Sequence, residues 1–422
     1  MPDKRNILVL GSGGREHAIV WKLKQSLHCN KIFCIPGNGG IASLAECVNI
    51  PHEDQEALAN FVRENNIALT IVGPEQPLVD GIVDNFRKKG LAIFGPDKIA
   101  AQLEGSKAFS KDFMKKYAIP TAEYLKITDI SEAPKYLDTC NYPVVVKASG
   151  LAAGKGVIIC ENRESADQAV HAMLLNKQFG SAGEMLVIEE FLEGEEISIF
   201  VLTDGFHYHI LPTARDHKRA YEGDKGPNTG GMGAFSPAPL LKNDEMEFVK
   251  SEIIEKTIKG IKKEGGDYKG IIYIGLMITS KGIKVLEYNC RFGDPEAQVI
   301  LPLLENDLVE LIDLSLTEKL NECTISSGDR HCAAVVLASG GYPDDYKKGL
   351  RIEGADNNYG KDVIIFHAGT KMADGKLVSS GGRVLAVTAL AESKEAALDK
   401  SYAAIKDISL KDSFYRKDIG KF

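Results

Sequence analysis

No apolar run in this chain reaches membrane-spanning length. The longest, 271–278, is interrupted by Gly275, so a helical membrane protein is excluded. Positive charge is not in excess: 51 Lys and Arg stand against 59 Asp and Glu, for a net charge of −8. That argues against a nucleic-acid or membrane-surface binder, while a local pocket for a small phosphate compound stays open. No CxxC pair occurs among the eight cysteines, and Cys34, Cys160 and Cys332 lie inside apolar runs. They read as reduced core residues of a cytoplasmic protein. The start, Met-Pro-Asp-Lys-Arg-Asn, enters a strand without the apolar core of a secretory signal. Internal repeats and low-complexity tracts are also missing.

What is present is glycine, 41 residues of it, much of it clustered between strands. The chain has 422 residues, enough for two to four domains. A short strand at 6–10 runs into Gly11-Ser12-Gly13-Gly14-Arg15-Glu16-His17. A helix follows, with Ala18, Val20, Leu23 and Leu27 on its apolar positions. Such a strand, glycine turn and helix opening favours an anion. The dinucleotide fingerprint lacks its third glycine, and the second strand, 31–35, ends without the acid that would hold a ribose of NAD. Nicotinamide chemistry is thereby excluded. Strands at 69–72 and 91–94 end at Gly73-Pro74-Glu75 and Gly95-Pro96. In an open parallel sheet these ends line one crevice. Glu75 is then either a ligand for ribose hydroxyls or a solvated turn carboxylate. His17 reads as a packing or capping residue.

Past residue 100, Ser106 can cap a helix carrying Phe109, Phe113, Met114 and Tyr117. Lys107, in its first turn, opposes the helix dipole unless an anion compensates. Two apolar strands, 143–147 and 157–160, flank a glycine-rich loop containing Gly150, Gly154, Lys155 and Gly156. The spacing is not that of a P-loop, and a strand follows instead of a helix. The loop is a phosphate-covering lid with Lys155 facing the phosphates, or simply a mobile hairpin. Lys147 ends a buried strand and needs an anionic partner. The stretch from Glu189 to Glu196 offers backbone groups to an adenine edge and a carboxylate to a ribose, or is a solvated turn. Asp216 lies in a charged run that precedes the glycine-rich loop 226–233, and a helix is expected over 247–263.

The strand 271–278 then pairs with 282–288 as an antiparallel hairpin. On the second arm Glu287, Asn289 and Arg291 share one face, and Leu286, Tyr288 and Cys290 face the core. A carboxylate and an amide oxygen two residues apart suit a hard cation such as Mg²⁺, or are simply solvated charges on a half-exposed strand. Asp294-Pro295-Glu296 reads as the capped start of a helix running to about 319. The rest is β-rich, with strands at 332–338, 364–368 and 383–388 and a helix over 394–405. Its glycine turns carry no catalytic set, and packing and site closure are its expected part.

The order of these motifs resembles the phosphoribosylamine–glycine ligase (glycinamide ribonucleotide synthetase) family of the ATP-grasp superfamily. The matching runs are Gly11–His17, Ile71–Leu78, Gln102–Phe113, Gly150–Val157, Glu189–Glu196, Asp216–Arg219, Gly226–Pro237 and Glu287–Glu296. The resemblance implies a mixed α/β and α+β multidomain fold. An N-terminal open parallel α/β substrate domain would span 1–104. An ATP-grasp core would comprise 105–125 and 195–328, with a lid subdomain at 126–194 and a small β-rich C-terminal domain at 329–422. It implies ATP-dependent ligation of glycine to 5-phosphoribosylamine through a glycyl phosphate, with Mg²⁺ or Mn²⁺, in purine biosynthesis. By the same resemblance Lys107, Lys147 and the Gly154-Lys155-Gly156 loop contact ATP phosphates. Glu189, Glu190, Leu192 and Glu195 frame adenosine. Glu287 and Asn289 bind the metal. Asp216, Arg291, Asp294 and Lys147 serve catalysis. Gly13, Gly14, Glu75, Asp216 and Arg291 bind substrate. The expected partners are small molecules only, without nucleic acid or membrane, and a monomer is expected.

Some positions depart from the family pattern. Ser149 stands where relatives carry Asp, and Ser12 where some carry Asn. The strand run Ile272–Met277 lacks the second metal carboxylate of many grasp enzymes, so one protein-held cation is expected. Another carboxylate–amine pair would be the rival substrate reading. An ATP binder without turnover would have lost Lys147, Glu287 or Asn289, and all three are present.

Overall fold

The computed structural model describes residues 4–152, 155–238 and 241–421. Its spine is a nine-stranded sheet. Arg5–Gly11 pairs in parallel with Cys29–Pro36 on one side and Ile67–Val72 on the other, and Ile67–Val72 pairs with Ile93–Pro96. Ile7, Leu8, Val9 and Leu10 are all buried, as expected of a parallel strand covered on both faces. The sheet continues into the central region, because Tyr268 and Lys269 pair antiparallel with Pro96 and Gly95. Tyr268–Thr279 then pairs with Glu195–Thr203 and Gly282–Asn289. The first two glycine turns and the metal-candidate hairpin thus share one continuous sheet.

A four-stranded antiparallel sheet stands beside it, in the order Tyr124–Ile127, Leu186–Glu190, Val144–Ala148, Val157–Cys160. The helix Arg163–Leu174 covers it through Ala166, Ala169, Val170 and Met173. The C-terminal sheet has five strands, ordered Arg215–Asp216, Gly233–Ser236, His331–Ala338, Arg383–Ala391, Val363–His367. It is backed by the helix Lys394–Lys406. Two of its strands come from the central part of the chain, so Asp216 is hydrogen-bonded into the C-terminal sheet. Among the described residues no helix is long and apolar enough to cross a membrane.

Several local expectations need correction. The first helix stops at Leu23, and Leu27 is exposed. The helix expected from Asp294 to about 319 is instead a short turn of helix, Ala297–Ile300, and a separate helix, Leu308–Leu316. Asp307 supplies the N-cap of the second, accepting from Val309 and Glu310 N–H, so the helical signal restarts there. Asp294 caps neither. The helix expected over 247–263 extends back to Asn243 and includes a π-helical segment, Val249–Ile254. Leu286 does not share the core face with Tyr288. Glu287 pairs with Gly275, but Val285 pairs with Leu276, so Leu286 is the extra residue of a β-bulge. The bulge resets the alternation. It lets Ile283 and Val285 before it and Tyr288 and Cys290 after it all reach the core.

His17 packs, as expected. The His367 N–H donates to His17 Nδ1 at 2.8 Å, and Phe366 lies edge-on to the His17 ring. Burial, with His367 beside it, holds the His17 pKa near 3, and burial holds that of His367 near 4. Both folded values lie below the ordinary 6.5, so the unfolded chain binds more protons and stability falls as pH drops below 6.5. Lowering the pH from 6.5 to 5 should cost about 2 kcal/mol for each of these histidines. In H17N the amide oxygen can still accept from His367, and about half of that loss should vanish. Urea unfolding of both proteins at pH 7 and pH 5 checks this; an unchanged pH dependence in H17N would contradict it.

Candidate active site

The bulge at Leu286 aims Glu287, Asn289 and Arg291 away from the core, toward the ends of the N-terminal strands. The Arg291 guanidinium is the junction. Its Nη2 lies 2.8 Å from Glu104 Oε1 and donates to Asn289 Oδ1 at 3.2 Å. Its Nε donates to Glu75 Oε2 at 3.3 Å. Burial works against the Arg291 charge, but Glu104 and Glu75 outweigh it and raise the pKa. For Glu75, burial acts upward, yet Arg291 and Arg15 bring the pKa down to about 2. Glu104 is the opposite case. Its burial dominates the pull of Arg291 and lifts its pKa to about 7. The second oxygen of Glu104 accepts the Cys290 N–H at 2.6 Å.

The lysines face this strand from two elements, Lys147 from the strand Val144–Ala148 of the neighbouring sheet and Lys107 and Lys111 from the helix Lys107–Lys116. Glu189 Oε2 lies 2.9 Å from both Lys147 Nζ and Lys111 Nζ. All three are buried. Lys111 has its pKa lowered to about 8, by burial and by Lys147, against the attraction of Glu189. Lys107 is lowered by burial and by Lys147, while Glu287 acts the other way. An arriving phosphate would offset both lowering effects. Glu287 is subject to burial, which raises its pKa, but Lys218, Lys147, Lys107 and Arg291 prevail and lower it. It is therefore an ionised carboxylate surrounded by cations.

Ser149 has a definite role. Its hydroxyl oxygen accepts from Ala108 N–H at 3.1 Å, and its carbonyl accepts from Lys107 N–H at 2.8 Å. Together with Ser106, which accepts from Phe109 N–H, it caps the helix Lys107–Lys116. That satisfies orphan donors at the helix start and fixes Lys107 against the end of the strand that carries Lys147.

On the far side, Lys218 pairs with Glu196 and lies 3.6 Å from Glu287 Oε1. Asp216 has its pKa raised well above the ordinary value by burial, with Glu296, Glu196 and Glu287 adding to it against Lys218. The first glycine turn closes the cleft. Glu16 wedges beneath it, accepting Gly13 N–H at 2.6 Å. A Cβ on Gly11 (φ +125°) would stand 2.4 Å from Glu16 Cγ, so only glycine fits there. A Cβ on Gly13 would stand 3.1 Å from Asp294 Oδ2, which puts the Asp294 carboxylate directly over the turn.

The phosphoribosylglycinamide synthetase N-domain model matches residues 5–104, its ATP-grasp (A) domain model 105–297 and its C-domain model 332–422. The chain belongs to the phosphoribosylglycinamide synthetase family. It is 48% identical to a phosphoribosylamine–glycine ligase of Clostridium acetobutylicum, covering 98% of this chain and 99% of that one. It is also 48% identical to a bifunctional purine biosynthetic protein of Pichia angusta, covering 99% of this chain but 54% of that longer one. The crystal structure of phosphoribosylamine–glycine ligase from Thermotoga maritima superposes with a TM-score of 0.84 at 33% identity, covering 98% of this chain and all of that one.

Of the residues the resemblance implies, Lys107, Lys147, Glu287, Asn289, Arg291, Glu75, Asp294, Gly13 and Gly14 lie together, and Asp216 joins them through Lys218. Glu189 turns its carboxylate to Lys111 and Lys147, so toward adenosine it would have only its backbone to offer. Glu190 accepts from Lys284 and from Glu123 N–H. Leu192 is buried in the link between Glu190 and the next strand, and Glu195, exposed, opens that strand. Lys155 is exposed. Gly156 lies where a Cβ would come 2.7 Å from Ala152 Cβ. Gly154 lies outside the described residues. Sequence reasoning missed Glu104, Lys111, Lys218 and Arg383. Glu104 and Lys218 lay inside motif runs singled out for the synthetase resemblance, and Lys111 follows one helical turn after Lys107. For Arg383 the sequence held only a glycine turn.

Proposed function

We propose that this chain ligates glycine to 5-phosphoribosylamine at the expense of ATP, giving glycinamide ribonucleotide, ADP and phosphate, a step of purine biosynthesis. The observation that carries the reading is the meeting of two half-sites. The Gly13–Gly14 turn, suited to a phosphate or ribose, lies against Asp294, at the end of the segment whose Glu287 faces Lys107, Lys147 and Lys218. A carboxylate can thus be activated next to the amine that consumes it. We also propose the domain division given above, with 126–194 as the lid.

In this reading Lys107 and Lys147 hold the transferring phosphoryl group and offset its charge. A glycine carboxylate oxygen attacks the γ-phosphorus, and ADP leaves. The amine nitrogen then attacks the acyl carbon, phosphate leaves, and one proton is released. Arg291 is held rigid by Glu75 and Glu104 and orients the glycyl carboxylate. Asp216, half-buried, stands by the acyl group. Leu192 supplies backbone groups to adenine, with Glu195 at the ribose. Glu287 and Asn289 fit a hard cation, being an ionised carboxylate and an amide oxygen on one strand face. When bound, Mg²⁺ or Mn²⁺ would neutralise phosphate charge. Action in the cytoplasm as a monomer completes the proposal.

The test is direct. Glycine, phosphoribosylamine, ATP and Mg²⁺ together should release ADP and yield a product with the mass of glycinamide ribonucleotide. ADP release with another carboxylate–amine pair, and none with this one, would overturn the substrate assignment.

A further inference from the structure

The C-terminal sheet sends one guanidinium into the cleft. Arg383 opens the strand Arg383–Ala391. Its Nη1 donates to Gly230 O at 2.6 Å and to Asp294 O at 2.8 Å, and Gly231 O lies 3.4 Å away. Its Nη2 lies 3.3 Å from Asp294 Oδ2. The other Asp294 oxygen accepts from Gln298 Nε2 at 2.8 Å. The loop is shaped to this cation. A Cβ on Gly230 would stand 2.9 Å from Arg383 Cζ, and one on Gly231 (φ +111°) would stand 2.4 Å from Pro295 Cδ. Gly230 N–H also donates to Tyr342 Oη at 3.1 Å, a second hold from the C-terminal region.

We propose that Arg383 is a positioning residue for the amine-substrate end of the cleft, fixing the Asp294 carboxylate over the Gly13–Gly14 turn and tying to it the 229–232 loop that links the strands Lys225–Asn228 and Gly233–Ser236. The proposal rests on the ligase reading above. A glycine-rich loop is entropically costly to order. A planar fork with several donors can hold two carbonyls and a carboxylate at once, which an ammonium point charge cannot do in one geometry. Asp294 is thereby presented as a fixed anion where the amine and hydroxyls of the ribosylamine must sit. The charged groups around it are Arg383 from the C-terminal strand, Arg15 and Glu16 from the first helix, and Arg291 and Glu296 from its own segment.

The test compares R383Q and R383K with the natural protein. Ligation by the natural protein first establishes the ligase reading independently; its absence would defeat that reading and not address Arg383. In R383Q the KM for phosphoribosylamine should rise about tenfold or more, with the KM for ATP unchanged. Losing the cation should let the Asp294 pKa rise, moving the acid limb of kcat/KM to higher pH. R383K keeps the charge and should recover the acid limb, but with the KM still raised. A folded R383Q with unaltered phosphoribosylamine KM and acid limb would overturn the role. So would equal increases in KM for ATP, glycine and phosphoribosylamine, which mark general loosening. Should R383Q not fold, R383K decides: a raised phosphoribosylamine KM supports the proposal, and an unaltered one defeats it.

Discussion

Replacing Glu287 by alanine should lower Mg²⁺-dependent ligation roughly a thousandfold, the equivalent of several kcal/mol of lost charge stabilisation, with little change in the unfolding midpoint. The fold has little at stake in this side chain. Its nearest ion-pair partner, Lys218, lies 3.6 Å away and keeps Glu196 in the variant. The chemistry has much at stake, because this carboxylate is the anion on which Lys218, Lys147, Lys107 and Arg291 all act. Asn289 alone would leave a cation one neutral protein oxygen, itself shared with Arg291. E287Q retains an oxygen donor without the charge, so it should be less impaired and need more Mg²⁺ for half-maximal rate. Steady-state rates over a Mg²⁺ titration, alongside thermal melts, decide this. Near-natural activity in E287A would remove the metal assignment.

Replacing Arg291 by alanine should cost both activity and roughly 3–5 kcal/mol of stability, the usual penalty for stripping a buried carboxylate of its partner. Arg291 is the counter-ion of Glu104 at 2.8 Å, and Glu104 is almost wholly buried. Glu75 would retain Arg15 at 3.9 Å. The loss should depend on pH in a defined direction. Glu104 already has a folded pKa near 7, above its ordinary 4.5, so its ionisation opposes folding as pH rises through that range. Without Arg291 the folded value rises further, and the variant holds its proton where the natural protein has released it. The stability gap should therefore be smaller at pH 5.5 than at pH 8. Urea unfolding at those two pH values tests this, and an equal gap at both would show that Glu104 is not the group responsible.

Much of this site was legible along the chain. The turn after the first strand was visible because a glycine cluster between an apolar strand and a helical pattern marks a turn locally, and in the structure Gly11 takes a φ of +125° there. Glu287 and Asn289 were visible because side chains alternate along a strand. Ser106 announced its helix because an N-cap is a local hydrogen bond, and the structure has it accepting from Phe109 N–H. Lys147 declared itself as a cation ending an apolar run. In each case the relevant forces act within a few residues.

Other features had no local signal. The bulge at Leu286 depends on what Tyr268–Thr279 offers across the ladder, and without it Ile283 and Val285 could not share a core with Tyr288. Glu104 is an unremarkable helical glutamate until chain closure brings Arg291 and the Cys290 N–H onto it. Glu189 reads as part of a nucleotide hinge, yet its carboxylate goes to Lys111 and Lys147 once two sheet strands and a helix converge. Arg383 follows a glycine pair in a region that shows only packing and closure along the chain. By itself the sequence determined the glycine turns, the alternating metal face, the capped helix and the family. Only the tertiary structure decided which cation answers which carboxylate, because ion pairing and desolvation depend on distances that exist only after distant segments have packed together.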